Sequence, residues 1–238
     1  MEPMRGARVL SINVAQPVEA AWAGPPRHTS IDKRPVDGPV RVGTLGVEGD
    51  QVSDTKHHGG VDQAVYVFAR EDLDLWSERI GRRIDNGQFG ENLTTVGIDV
   101  NEALLGERWQ VGSVLFEVAE VRIPCNTFKN WLGVLGVDNK GWLKRFTAEG
   151  RPGPYLRVIE AGTLTAGDEL TVVYRPSHDI TVSTMFRAFT TDRSLLPRLL
   201  EVGESLAAKP REAAERAAQG RPRSPGSTAP PGFHAAHT

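Results

Sequence analysis

The densest polar chemistry in the chain lies between Gly46 and Gln63, in GVEGDQVSDTKHHGGVDQ. Glu48, Asp50, Asp54, Lys56, His57, His58 and Asp62 stand there among Gly46, Gly49, Gly59 and Gly60. Two imidazoles followed by two glycines describe a loop whose backbone runs close to something bound. Glycine permits φ > 0 and leaves the room a Cβ would fill, and polar loops on a rigid scaffold commonly carry function. An imidazole titrates near neutrality, so either histidine can donate a proton or contact a metal or cofactor. A turn-capping role in a solvated loop is the plainer alternative. Adjacent residues seldom aim both side chains at one point, so one of the pair is expected to face the site.

Cys125 is the single cysteine of the chain. No intrachain disulfide can form, which leaves a small buried packing residue or a reagent. As a thiolate it is a nucleophile or a soft metal ligand, and Arg122 nearby would lower its pKa. The zinc spacings, Cys-x2-Cys and His-x3-His, are missing. Glu91, between Gly90 and Asn92, can serve as a general acid if burial raises its pKa; otherwise it is a turn carboxylate. Lys33, Arg34, Lys56 and Arg122 offer donors to a phosphate, although no Walker or dinucleotide-type glycine loop is present.

Short strands are expected to position these groups. Residues 8–14 (RVLSINV) and 64–69 (AVYVFA) read as strands, and Val40 and Val42 mark another. From Arg70 the period changes: Leu73, Trp76 and Ile80 fall at helical spacing, Glu71 and Asp72 suit a first turn, and Gly81 suits a stop. Residues 108–122 read as two strands turned at Gly112-Ser113, with Pro124 ending the ladder just before Cys125. Helices are expected over 126–132 and 138–148, then strands over 155–160 and 169–174. Many short strands with glycine turns and few intervening helices favour a mainly β, α+β barrel over a doubly wound sheet. Composition shifts near Arg175-Pro176. The expected organisation is a barrel domain over 1–176, a small helical unit over 177–218 (helices 182–189, 192–202 and 210–218), and a disordered Pro/Gly/Ser-rich tail over 219–238. His234 and His237 in that tail are read as incidental, since the tail cannot fix a ligand geometry.

With 238 residues, 39% hydrophobic, the chain can bury one substantial core. A formal charge of −2 gives no argument for nucleic acid or an anionic membrane surface. No stretch approaches the ~18 apolar residues of a membrane span, and MEPMRGARVL lacks an apolar signal-peptide region. The expectation is a cytoplasmic protein.

Five motifs occur together in a fixed order: Lys33-Arg34-Pro35-Val36, Gly46-x-Glu48-Gly49-Asp50, Lys56-His57-His58-Gly59-Gly60, Phe89-Gly90-Glu91-Asn92-Leu93 and Arg122-x-Pro124-Cys125. In this order the chain resembles MOSC-domain proteins, most closely the YiiM branch associated with resistance to hydroxylaminopurine. The likeness covers roughly 8–176, and the helical unit beyond it resembles that branch's C-terminal appendage. It implies a MOSC-type β-barrel that binds molybdenum cofactor, a pterin (molybdopterin) with a dithiolene and a terminal phosphate. By that resemblance Cys125 is the protein ligand to molybdenum, and Glu91 and one histidine, His58 favoured, complete a catalytic Cys–Glu–His cluster. Lys33, Arg34 and Lys56 would hold the phosphate, and His57, Gly59, Gly60, Asn92 and Arg122 would complete the cofactor site. One stretch departs: residues 145–158, RFTAEGRPGPYLRV, replace the aromatic-rich GWYLRV run typical of the branch, so the pocket wall is expected to differ.

The implied activity is reduction of N-hydroxylated compounds such as hydroxylaminopurine-like bases. A soft thiolate suits molybdenum, and the cofactor carries the hard redox step. The chain has no iron–sulfur cysteines and no nucleotide fingerprint, so a separate electron-donor reductase, for which a flavoprotein is one candidate, is expected as partner. A homodimer is left open. Two alternatives stay beside this one: a sulfur carrier using a Cys125 persulfide, and a non-catalytic protein that stores or delivers the cofactor.

Overall fold

Runs of valine, isoleucine and aromatic residues, punctuated by glycine, build the strands of this protein. The structure is a computed structural model that describes residues 6–24, 27–55 and 58–220. The strands are β1 (Arg8–Val14), β2 (Val18–Glu19), β3 (His28–Thr29), β4 (Arg34–Pro35), β5 (Val40–Gly43), β6 (Gly46–Val47) and β7 (Val65–Ala69). After helix α1 (Arg70–Ile80) come β8 (Leu93–Val96), β9 (Arg108–Val111) and β10 (Val114–Val121). Helices α2 (Asn126–Val134) and α3 (Trp142–Glu149) precede β11 (Pro154–Glu160), β12 (Gly162–Leu164) and β13 (Leu170–Tyr174). The chain closes with α4 (Val182–Thr190), 3-10 turns over Arg193–Ser205, and α5 (Ala208–Ala218).

One sheet of eight strands runs in the order β13-β9-β10-β11-β7-β8-β1-β4. Its pairs are antiparallel except β7–β8. That parallel pair is connected through α1, because parallel neighbours need a crossover too long for a hairpin. A second sheet, β12-β5-β6, carries the opening loop, and β2–β3 form a short ribbon. Among the described residues no strand ladder closes the large sheet into the expected barrel. Its ends approach where Arg8 forms an isolated bridge with Glu169, and Val9 exchanges backbone hydrogen bonds with Gly167 and Asp168 at 2.8 and 3.0 Å. The architecture is a mixed α/β one, a large sheet with several helices.

Most expected elements lie where periodicity placed them. The α1 helix stops at Gly81, whose φ of +66° is the left-handed turn that glycine adopts without strain. Two boundaries differ. The α2 helix runs on to Val134, and α3 begins at Trp142 because Asp138 instead accepts from the Lys140 N–H at 3.0 Å in a turn. The middle C-terminal segment is 3-10 rather than α, with Pro197 inside it and a break at Gly203. Residues 221–238, with His234 and His237, lie outside the described residues. No helix among the described residues is long and apolar enough to cross a membrane.

A cluster of aromatic rings fixes the surroundings of Cys125. Phe89 lies 5.0 Å from Phe128 and 6.0 Å from Trp142, both edge-on. Trp76 from α1 meets Trp142 at 4.6 Å, and Phe186 from α4 joins Phe146 at 6.4 Å. Burying each such ring contributes about 1.5–3 kcal/mol, and the cluster locks α1, α2, α3 and the 87–91 loop together.

Candidate active site around Cys125

Strand β10 carries Arg122 out of the sheet, Pro124 ends the ladder, and Cys125 becomes the residue that starts α2, with extended backbone at φ −119° and ψ 170°. The side chain is buried. Burial alone would raise the thiol pKa. A hydrogen bond from the His58 side chain, the Arg122 guanidinium, the His58 charge and the Phe128 backbone N–H outweigh burial and bring it from 9.0 down to about 7. A thiolate at the first turn of a helix also gains from the helix dipole.

Arg122 is 7% exposed. It donates to the Phe89 carbonyl, and its guanidinium carbon lies 4.1 Å from the Phe128 ring centroid and 4.8 Å from that of Tyr66. Among the described residues it has no carboxylate partner. Its charge is met by aromatic faces and by the neighbouring thiolate.

Glu91 is fully buried. One carboxylate oxygen accepts from the Gly87 N–H at 2.6 Å and the Thr94 hydroxyl at 2.9 Å; the other accepts from the Phe89 N–H at 3.1 Å. Burial pushes its pKa up against these bonds. The loop they hold can turn so tightly because Gly87 has φ +84°, and a Cβ there would collide with the Lys33 carbonyl. Glu91 therefore braces the segment whose Phe89 carbonyl anchors Arg122.

A cavity of about 120 Å³ is lined by Lys33, Asp50, His58, Gln63, Asn92 and the ring of Tyr66, among others. His58 links this cavity to the thiol behind it. Lys33 pairs with Asp50; burial lowers the lysine pKa, while Asp50 opposes that. Asp50 also accepts from the Ala15 N–H at 2.8 Å and from Asn92 Nδ2 at 2.9 Å.

The sequence-derived site residues thus divide. Cys125, His58 and Arg122 meet in one cluster; Lys33, Asn92 and Gly59 line the adjoining cavity; Glu91 lies beside them with its carboxylate turned into the 87–89 loop. Gly60 follows Gly59 at φ +88° with open space where a Cβ would sit. Arg34 points elsewhere: its side chain is 60% exposed, pairs with Asp32 at 2.6 Å, and lines a separate depression with Arg70 and Arg83. Lys33, just before β4, is buried, while Arg34 at its start is exposed. Lys56 and His57 lie outside the described residues. Sequence reasoning missed Tyr66, Tyr155 and Gln63, and named Asp50 only as a loop and motif residue with no role. A tyrosine inside the apolar run 64–69 was the available signal. Its partner Tyr155, 5.2 Å away across the β7–β11 pair, becomes visible only through strand register.

The chain that carries this buried thiol, with His58 between it and a polar cavity, has known relatives. Residues 54–171 match the MOSC domain family. The chain is 32% identical over 174 residues to the uncharacterized protein YflK of Bacillus subtilis, covering 73% of this chain and 76% of that one. It is 31% identical over 157 residues to protein YiiM of Escherichia coli, covering 65% and 67% of the two chains. A protein of Gibberella moniliformis named reductase matches at 31% over 155 residues, 62% of this chain but 26% of its own length. The crystal structure of YiiM from Geobacillus stearothermophilus superposes with a TM-score of 0.71 at 26% identity, covering 88% of this chain and 98% of the other. The chain belongs to the MOSC-domain family, and within it to the YiiM branch.

Proposed function

We propose that this protein is a reductase of N-hydroxylated compounds that uses a molybdenum cofactor anchored on Cys125. The observation that carries this reading is the buried Cys125 thiol, held near pKa 7 by His58, which itself lines the polar cavity, and by Arg122. The donor set fits such a group. No three His, Cys, Asp or Glu side chains among the described residues come together as a metal site, and a metal already held by its own dithiolene needs only one soft protein ligand. The Arg122 cation, which lacks a carboxylate, suits an anionic group beside the thiolate. The MOSC-family membership and the reductase relative, in which a matching segment makes up a quarter of a longer protein, support a redox role.

Reduction of R–NH–OH to R–NH2 and water takes two electrons and two protons. When bound, the cofactor supplies the electron pair. His58 is the group placed to hold and move a proton, because it lines the cavity and hydrogen-bonds the thiolate at once. Glu91 holds Arg122 through the 87–90 loop, and Lys33 presents its charge to the cavity from the Asp50 pair. In this reading the electrons come from a separate reductase protein.

Cys125→Ala should abolish bound molybdenum, pterin fluorescence and turnover of hydroxylaminopurine with an artificial electron donor, all measured on protein made in a cofactor-producing host. Full activity in that variant would sink the proposal. The same low-pKa thiol favours a second reading, a sulfur carrier with a Cys125 persulfide. Intact-mass measurement after incubation with a cysteine desulfurase decides it, and a free thiol alone counts against it. Storage or delivery of the cofactor without turnover is the third reading, which sustained turnover eliminates.

A further inference from the structure

The 3-10 turn Val61–Gln63 brings to the cavity a side chain, Gln63, with one polar atom that has no partner among the described residues. Gln63 lines the cavity beside His58, Tyr66 and Asn92. Its Nε2 donates to Glu120 Oε2 at 2.6 Å, while its Oε1 is buried with no hydrogen-bond partner among the described residues. An ionised carboxylate only accepts, so Glu120 decides which way the amide faces: nitrogen toward Glu120, oxygen away from it. The turn is held as well, because Asp62 pairs with Arg157 at 2.6 Å and Arg157 pairs with Glu117 at 2.7 Å.

The side-chain acceptors of Asn92 and Asp50 on the same wall are engaged. Asn92 Oδ1 accepts from the Tyr66 N–H at 3.1 Å, and both Asp50 oxygens are taken by Lys33, the Ala15 N–H and Asn92 Nδ2. A buried amide oxygen without a donor costs about 1–3 kcal/mol, and buried polar atoms left so are rare enough to call for a reason.

We propose that Gln63 Oε1 accepts a hydrogen bond from an N–H of the heterocycle that enters this cavity, and that Glu120 is the positioning residue that holds the amide in that orientation. The inference rests on the functional reading above, in which an amino- or hydroxylamino-bearing ring occupies the cavity. Two rings carry such a group, the pterin and the N-hydroxylated substrate, and the test separates them.

Gln63→Met keeps the length of the side chain and removes the acceptor. Wild type and variant are compared for molybdenum and pterin content after expression in a cofactor-producing host. They are then titrated calorimetrically, as purified holoprotein, with adenine and with 6-methoxypurine, in which an acceptor-only group replaces the amino donor. A roughly tenfold loss of cofactor retention assigns the N–H to the pterin. Unchanged cofactor content, with a wild-type preference for adenine that falls about tenfold in the variant, assigns it to the substrate. Glu120→Gln, which lets the Gln63 amide turn over, lowers the same quantity by a smaller factor, and it decides alone if thermal melting shows Gln63→Met unfolded. Unchanged cofactor content and an unchanged adenine preference in folded Gln63→Met overturn the inference and leave the functional reading standing. A wild type that retains no cofactor and binds no adenine overturns both.

Discussion

Two arginines, Arg122 and Arg151, follow opposite rules in the same molecule. Arg151 links Asp72 of α1 to Asp99, with Nε bonded to Asp72 at 2.5 Å and Nη2 to Asp99 at 2.9 Å. Burial would lower its pKa, but the two carboxylates raise it well above the ordinary range. Arg122 is more deeply buried, yet it is held by a carbonyl and two aromatic faces, with the Tyr66 and Tyr155 phenols and the Cys125 thiol as the acids around it. A cation that already has two carboxylates is committed to the fold. One surrounded by rings still has its charge to offer, and that charge falls on Cys125.

The contrast can be broken at either end. Arg151→Met should have the largest effect on stability, about 3 kcal/mol in urea unfolding, because it strands the buried Asp72 carboxylate with only Asn101 as partner. Its Cys125 labelling rate should match wild type. For Arg122→Met the pattern reverses: a stability change of about 1 kcal/mol or less, since no buried carboxylate loses its partner, with a clear effect on the thiol. In apoprotein, alkylation of Cys125 should rise with pH through a midpoint near 7. Removing the adjacent cation disfavours the thiolate, so the midpoint should move upward, by about one pH unit. An unmoved midpoint would remove Arg122 from the account of the thiol.

Asp50→Asn sharpens the picture one step out, because it leaves the buried Lys33 without its counter-charge. A loss of about 1–3 kcal/mol is expected in thermal or urea unfolding, together with weaker cofactor retention. Arg34→Ala should do least. Its pair with Asp32 is exposed, and such pairs contribute about 0–1 kcal/mol. Cofactor content equal to wild type in Arg34→Ala would agree with its placement outside the cavity; a large loss would contradict it.

Reading the sequence located the neighbourhood more reliably than the contacts. The apolar run 64–69 and the helical spacing of Leu73, Trp76 and Ile80 record local geometry, and β7 and α1 lie there. Cys125 was placed at the end of a strand after proline, and it stands at that junction. Glu91 shows the limit. Its small-residue context suggested an available carboxylate, yet Gly87 and Gly90 instead let the loop fold back so that its own N–H groups claim both oxygens. How the ends of the large sheet meet, at Arg8 and Glu169, is likewise not encoded in a strand count.

By itself the sequence determined the elements, the single thiol, and a set of motifs specific enough to resemble one family, because periodicity and residue type act over a few neighbouring positions. The tertiary structure alone decided which polar atoms meet. Gln63 finds Glu120 across 57 positions of chain, and Arg122 finds Phe89 across 33. Bonds of that span depend on strand register and aromatic packing, and no spacing within one stretch of chain encodes them.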